Sequence, residues 1–316
     1  MIRSAVAAVL TIPILTCAID LAGAQDAGLG KTQELQPFVG AQPPSFSTVE
    51  ELAEEFRQAL GAGDKEKLAT LLGLAPAEVV KSREIDGSVT EIREAAAQSI
   101  EIEETAPDRR LLLLGDLGWP FPFPVVETGG KWTFDTLSGL EEVVNRRIGE
   151  NELTAIANMR AYFNAQEQYH GADWDEDGVA EYAQRLISTP GTYDGLYWEP
   201  GDGVPDSPVG AEVDQAELAV AAEDGYFGYR NRVLSRQGPN IAGGQYDYVV
   251  NGNMIGGFGL IATPAEYDRT GVMTFVVNQY GTVYEKDLGP DSAEMAAKIT
   301  SFDPDDSWKV VNDPGD

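Results

Sequence analysis

The chain has 316 residues, 52 Asp and Glu against 22 Lys and Arg, and a net charge of −30 at pH 7. Nucleic-acid phosphates are bound through clustered positive charge, so a nucleic-acid-binding role is excluded. A hydrophobic fraction of 43% with 34 Gly and 18 Pro fits packed cores joined by many turns, and the length suggests two domains.

In chain order the first feature is a leader. Arg3 precedes an apolar run from Ala5 to Ala18, and Ala22-Gly23-Ala24 offers a signal-peptidase site before Gln25. The run is shorter than the roughly 20 apolar residues that span a bilayer, and no later segment approaches that length. Residues 1–24 are therefore expected to be a signal peptide. Its removal leaves a soluble periplasmic or secreted chain without a transmembrane segment and without Cys17, the single cysteine. Lipidation at Cys17 is the lesser alternative, because Thr16 stands where a small Gly, Ala or Ser is wanted.

Residues 25–45 are polar, rich in Gly and Pro, and read as a flexible lead-in. Residues 46–136 read as a first domain. Ser47 is placed to cap a helix with Glu50 as its capping-box partner, and Val49, Leu52, Ala53, Phe56 and Leu60 share one face. Gly61-Ala62-Gly63 breaks that helix, Asp64 caps a second one through Leu68, Leu71 and Leu72, and Pro76 closes the unit. A third helical stretch runs from Ala95 to Ile100, followed by the apolar run Leu111 to Leu114. Proline at every second position in Trp119-Pro120-Phe121-Pro122-Phe123-Pro124 excludes a helix or a central strand. Gly129-Gly130 predicts a hairpin turn between residues 123–126 and 131–134.

Residues 137–302 read as a second domain, ahead of a polar tail at 303–316. A long helix is predicted from Leu140 to about His170, with Leu153, Ile156, Met159, Phe163 and Gln166 or Tyr169 at helical spacing and Gly149 as a kink point. The period then changes to that of strands. Tyr246 to Val250, an Asn251-Gly252 turn, and Met254 to Ala262 predict one antiparallel hairpin; Met273 to Val277 and Thr282 to Glu285 predict a second. A short helix is expected near Asp291 to Ile299. The fold class is thus α+β, with a long helix covering one face of an antiparallel meander.

At Trp119-Pro120-Phe121-Pro122, Trp132-Thr133-Phe134-Asp135, Arg146-Arg147-Ile148-Gly149-Glu150-Asn151-Glu152-Leu153 and Tyr246-Asp247-Tyr248-Val249-Val250-Asn251-Gly252 the sequence resembles an uncharacterised bacterial family, number 2950 among the domains of unknown function. The likeness continues through Glu181-Tyr182-Ala183-Gln184-Arg185, Ser188-Thr189-Pro190-Gly191 and Asp287-Leu288-Gly289-Pro290. It implies a secreted or periplasmic protein and supplies no activity. Asn151-Glu152 through Tyr162 and Gln166, with Gly271-Val272-Met273-Thr274-Phe275, also resembles the globular part of type IV pilin-like proteins. That likeness implies one long helix on an antiparallel sheet. Pilins carry an extremely hydrophobic half-helix where Phe134 to Arg147 is polar and acidic here, so filament assembly is not carried over. Phe46 to Leu72 resembles the helical start of cone-shaped nuclear-transport-factor-like domains.

The chemistry concentrates in Asp173-Trp174-Asp175-Glu176-Asp177-Gly178-Val179-Ala180-Glu181. Carboxylates at Asp173, Asp175 and Asp177, a glycine at the sixth place, the Val179 carbonyl and the Glu181 carboxylate follow the ligand order of a calcium loop, although Gln184 takes the place of the usual bidentate glutamate. Calcium in a structural role is the expectation, and a solvated acidic turn is the alternative. His170, the only histidine, sits where a cation suits a helix carboxyl end, which disfavours triad chemistry; zinc is disfavoured because one imidazole and no cysteine in the mature chain cannot make its usual ligand set. Gly256-Gly257-Phe258-Gly259 lies in a strand pattern and reads as backbone crowding, not as a phosphate cradle. Tyr193, Tyr197 and Trp198 on a Gly- and Pro-rich loop suggest either a ligand platform or a hydrophobic plug. Together these features indicate a non-enzymatic binding or scaffolding protein of the envelope, open to basic protein or glycan partners. The alternative is a carboxylate-based hydrolase acting on glycans or peptidoglycan.

Overall fold

The computed structural model describes residues 35–75, 83–210 and 226–312. The leader with Cys17 and its cleavage site, the start of the lead-in, and Pro76 lie outside the described residues. The structure divides into two compact units, Met1–Val144 and Asn145–Asp316. Both mix helices with antiparallel sheet, which is the α+β class the sequence indicated.

In the first unit, helix α1 (Val49–Ala62) buries Val49, Leu52, Ala53, Phe56, Ala59 and Leu60. Its cap lies one residue later than the sequence suggested: Thr48 accepts the Glu51 N–H, and the Glu51 carboxylate accepts the Ser47 N–H at 3.1 Å. Both registers spell a capping box, and the folded chain uses the later one. Gly63 ends α1 in the left-handed region at φ 66°. Asp64 then caps α2 (Lys65–Leu72) by accepting the Lys67 N–H at 2.9 Å, as the sequence predicted. Helix α3 (Arg83–Gln98) is longer than the expected 95–100 stretch, and Ile100 belongs instead to a strand. Helix α3 packs against α1.

Strands β1 (Ile100–Ala106), β2 (Arg109–Leu114), β3 (Trp119–Pro120), β4 (Val125–Thr128) and β5 (Lys131–Phe134) form an antiparallel sheet in the order β1-β2-β4-β5, with β3 on β2. The β4–β5 hairpin has the predicted turn: Val125 pairs with Phe134 and Thr128 with Lys131, and Gly129 and Gly130 both take positive φ, at 60° and 76°. Phe56 packs on Phe121 and Phe134 at ring-centroid distances of 4.7 and 5.6 Å, so the Pro-spaced phenylalanines supply core rings, not helix or central strand. In the stretch ahead of α1, Gln36–Phe38 is a 3₁₀ helix, Val39 bridges Leu74, and Phe46 exchanges two backbone bonds with Trp132. Helix α4 (Thr136–His170) starts at this sheet, where a Cβ on Gly139 would come within 2.0 Å of the Phe123 ring. We expect Gly139→Ala to cost about 1–3 kcal/mol through overpacking, outweighing alanine's helix preference; a denaturant melt checks this.

In the second unit, Ala155, Met159, Tyr162, Ala165 and Tyr169 of α4 are buried against a five-stranded antiparallel sheet. Its strands are β8 (Tyr229–Leu234), β13 (Gly259–Pro264), β14 (Met273–Asn278), β15 (Tyr284–Asp287) and β16 (Lys309–Val310), in the order β16-β15-β14-β13-β8. Leu260, Ala262, Phe275 and Val277 share a core with α4, whereas Ile261, Val276, Leu234 and Phe302 share one with Ala296 of α5 (Ser292–Lys298). Cover on both faces explains why all six residues of β13 are buried.

The predicted hairpin at 273–285 is present as β14–β15, with Phe275 opposite Glu285. The one predicted at 246–262 is corrected. Its Asn251-Gly252 turn forms, with φ 54° and 100°, but it joins only β11 (Val249–Val250) to β12 (Asn253–Met254). Tyr246–Asp247 (β10) pairs with Arg236–Gln237 (β9), and β13 pairs with β8 and β14. The glycines account for the divergence: Gly256 abuts the Asp247 and Tyr248 backbone, and Gly257, at φ 132°, lies under the Gln279 amide. This crowding is the role the sequence indicated for Gly256-Gly257-Phe258-Gly259. Two short strands, β6 (Arg185–Ile187) and β7 (Gly195–Tyr197), pair in parallel.

Burial, reinforced by Glu152 and opposed by Lys309, raises the Glu285 carboxyl above its ordinary value. A raised folded-state value favours the protonated fold, so Glu285 costs stability once pH exceeds that value and the cost fades as pH falls through it toward the unfolded value. Glu285→Gln should therefore raise the melting temperature at pH 7, with the gain shrinking at acid pH; thermal melts across pH test it.

Candidate metal centre

The acidic segment follows directly on the end of α4. Trp174 Nε1 donates to the Tyr169 carbonyl at 2.8 Å, satisfying one of the helix's terminal acceptors, and its indole packs 4.8 Å from the Trp198 ring. From this anchor the chain turns through two positive-φ residues, Glu176 at 60° and Gly178 at 86°. Asp173 accepts the Gly178 N–H at 2.9 Å, Asp175 accepts the Asp177 N–H at 3.3 Å, and Asp177 accepts the Val179 N–H at 2.8 Å. Each bond turns a carboxylate inward. The result is that Asp173, Asp175 and Asp177, all exposed, bring one oxygen each within 4.8 Å of the other two.

Oxygens that close can all touch one metal ion. All three donors are hard anionic oxygens, the kind calcium and magnesium select.

A second set of bonds ties the segment to the β11–β12 hairpin. Asn253 Nδ2 donates to Asp177 Oδ2 at 2.6 Å, the Met254 N–H to Glu181 Oε2 at 2.9 Å, and Gln184 Nε2 to the Gly252 carbonyl at 2.6 Å. Glu181 therefore engages Met254 and stands outside the converging aspartate trio. Burial raises its carboxyl above the usual value, Asp175 and Asp177 add to this, and the Met254 N–H and Gln184 oppose it. The third anchor is Gln166, fully buried on α4, which brackets Ala183: Nε2 donates to the Ala183 carbonyl and Oε1 accepts its N–H, both at 2.8 Å.

The helical spacing puts Gln166 on the inner face without assigning it a role; an amide on an apolar stripe is the available signal. Asn253 carries none, because its part depends on an acidic loop more than seventy residues away.

A cleft of about 210 Å³ adjoins the loop, lined by Tyr169, Glu181, Gln184, Arg185 and Asp194. Burial pushes Asp194 up, but bonds from Thr189 and Thr192 and the Arg185 guanidinium at 3.4 Å bring it below its ordinary value. His170 stacks on Tyr182 at 4.4 Å. Of the three aromatics considered as a platform, Tyr197 and Trp198 are buried and Tyr193 is half-buried. Trp198 packs on Tyr193 at 4.9 Å and donates to the Pro205 carbonyl, which is how a hydrophobic plug behaves.

Among the described residues no helix is long and apolar enough to cross a membrane. No curated protein and no solved structure matches the chain. Residues 44–311 match the model of one family, described as "Protein of unknown function (DUF2950)", and the chain belongs to that family.

Proposed function

We propose that this is an exported, non-enzymatic binding or scaffolding protein of the bacterial envelope, in which calcium bound by Asp173, Asp175 and Asp177 staples the end of α4 to the β11–β12 hairpin. The Val179 carbonyl adds a fourth oxygen from the loop, water fills the remaining positions of a six- to eight-oxygen shell, and Glu181 holds the loop to the hairpin by accepting the Met254 N–H. The observation that carries the reading is the convergence of three aspartate oxygens within 4.8 Å on a segment bonded to both elements. Carboxylates so placed repel one another unless a cation is shared among them. The net charge of −30 favours basic partners, and the pilin-like view of the second unit rests here on its helix-on-sheet packing alone. Calorimetric titration of the protein with calcium, with magnesium as the comparison, tests the site. Heat saturating at one calcium per chain is expected, and no heat overturns it. Mass spectrometry of the exported form should find Gln25 at the amino terminus.

One observation favours the second reading, a carboxylate hydrolase acting on glycans or peptidoglycan. Glu181 and Asp194 line one cleft with their acidities shifted in opposite directions. Against it, about 210 Å³ falls below the roughly 300–1,000 Å³ of ordinary ligand sites, and Asp194 is occupied by Thr189, Thr192 and Arg185. Release of soluble fragments from peptidoglycan, lost in Asp194→Asn, would establish the hydrolase and remove the scaffold reading.

A further inference from the structure

Strand β1 (Ile100–Ala106) is an edge of the first unit's sheet: β2 pairs with it on one side, and among the described residues no chain pairs with it on the other. The opposite edge strand, β5, is met by Phe46, which exchanges two backbone bonds with Trp132. Which groups β1 leaves open follows from its register. Gly115 donates its N–H to the Ser99 carbonyl at 3.0 Å, so the alternation of an antiparallel pair makes Glu101–Leu113 and Glu103–Leu111 the bonded pairs. Leu112 agrees, since its carbonyl turns the other way and accepts the Phe121 N–H at 2.8 Å. The N–H and carbonyl of Ile100, Ile102 and Glu104 therefore point away from β2, along regular strand that ends at the register shift between Glu104 and Ala106.

The two faces of this edge differ in chemistry. Ile100 and Ile102 stand opposite the buried Leu114 and Leu112 and pack on the first unit's core while staying half-buried. Glu101 and Glu103 are exposed on the other face. Glu104 is already paired with Arg110 at 2.9 Å, and no proline, lysine or arginine stands within residues 100–106. A bare edge is a template for another strand. A second copy of β1 is a poor match, because it would set glutamates against glutamates, and chains of net charge −30 repel as wholes.

We propose that the free edge of β1 binds an extended segment of a basic partner protein by strand addition. The backbone of Ile100, Ile102 and Glu104 supplies the ladder bonds, apolar side chains of the incoming strand extend the Ile100–Ile102 face, and its lysines or arginines lie beside Glu101 and Glu103. The partner segment is thus one in which basic and apolar residues alternate. The proposal rests on the basic-partner part of the binding reading and not on its calcium site, so a failed calcium titration leaves it standing and its own failure leaves the calcium site standing.

The test is titration of the protein with a synthetic peptide of alternating lysine and valine long enough to span Ile100–Glu104, followed by amide hydrogen exchange read by NMR. Saturable binding is expected, with exchange slowed at the N–H groups of Ile100, Ile102 and Glu104. The same peptide with every backbone amide N-methylated keeps its charge and side chains but cannot form the ladder, and should not bind. Glu101→Lys combined with Glu103→Lys, both at exposed positions, should fold as the wild type does and bind the unmodified peptide about tenfold more weakly. Absence of binding, equal binding of the methylated peptide, or slowed exchange confined to residues outside β1 overturns the proposal. Slowing that appears with protein concentration alone, the mark of a second copy on the edge, overturns it as well.

Discussion

Replacing Gln166 by leucine should destabilise the second unit by about 2–5 kcal/mol, because it strips partners from two buried backbone groups at once and each such loss costs about 1–3 kcal/mol. Ala183 is 1% exposed, and both its N–H and its carbonyl are bonded to the Gln166 amide. The same amide donates to Tyr162 Oη at 2.9 Å, and that hydroxyl in turn donates to the Gly259 carbonyl at 3.2 Å. A leucine fills the volume and satisfies none of these. The expected drop in melting temperature is roughly 4–20 °C at the usual 2–4 °C per kcal/mol for a unit of this size. Gln168→Leu, two residues along and exposed, is the comparison and should change stability by less than about 0.5 kcal/mol. Equal melting of the two variants would show that the Ala183 bracket contributes little. Because Ala183 stands just beyond the acidic loop, Gln166→Leu should also weaken cation binding.

The second large effect concerns the loop. If calcium binds the folded chain alone, a concentration a hundredfold above its dissociation constant adds about 2.7 kcal/mol of stability, a shift of roughly 5–10 °C. Asp175→Asn keeps an oxygen that can accept the Asp177 N–H, so the turn persists while one charge is removed. Two opposite outcomes are expected from this one change. Without calcium the variant should melt slightly above the wild type, since carboxylate repulsion within the trio is relieved; with calcium most of the shift should vanish. Differential scanning calorimetry with and without a chelator reads both. A calcium shift equal in the two proteins would place the ion elsewhere. No shift in either would return the segment to a solvated acidic turn.

Local signals in the chain were legible wherever a few residues suffice to determine geometry. Gly129-Gly130 and Asn251-Gly252 form tight turns because both central positions need positive φ, and Asp64 caps α2 through a bond three residues long. The long helix was visible from its apolar spacing, but the face is shifted: Met159, Gln166 and Tyr169 are buried as expected, Ile156 and Phe163 are partly buried, Leu153 is exposed, and Tyr162 packs inward instead. Asp173, Asp175 and Asp177 converge because the bonds that turn them inward reach only two to five residues along the chain.

What the sequence determined by itself, then, was the α+β class, the long helix, the glycine turns with the β4–β5 and β14–β15 hairpins, and the acidic loop. Tertiary structure decided the remaining strand pairings. The arms flanking Asn251-Gly252 look able to continue as one hairpin, but β13 gains more by burying both faces between α4 and α5, so it pairs with β8 and β14. Strand β1 was missed because Ile100 and Ile102 alternate with glutamates over too short a run to outweigh the helical stretch before it. Tertiary structure also buried Tyr197 and Trp198 and made Gln166 and Asn253 partners of distant segments. Turn and cap energies are set within one or two turns of chain, whereas pairing and burial are set by competition among surfaces that are distant in sequence and meet only in the folded protein.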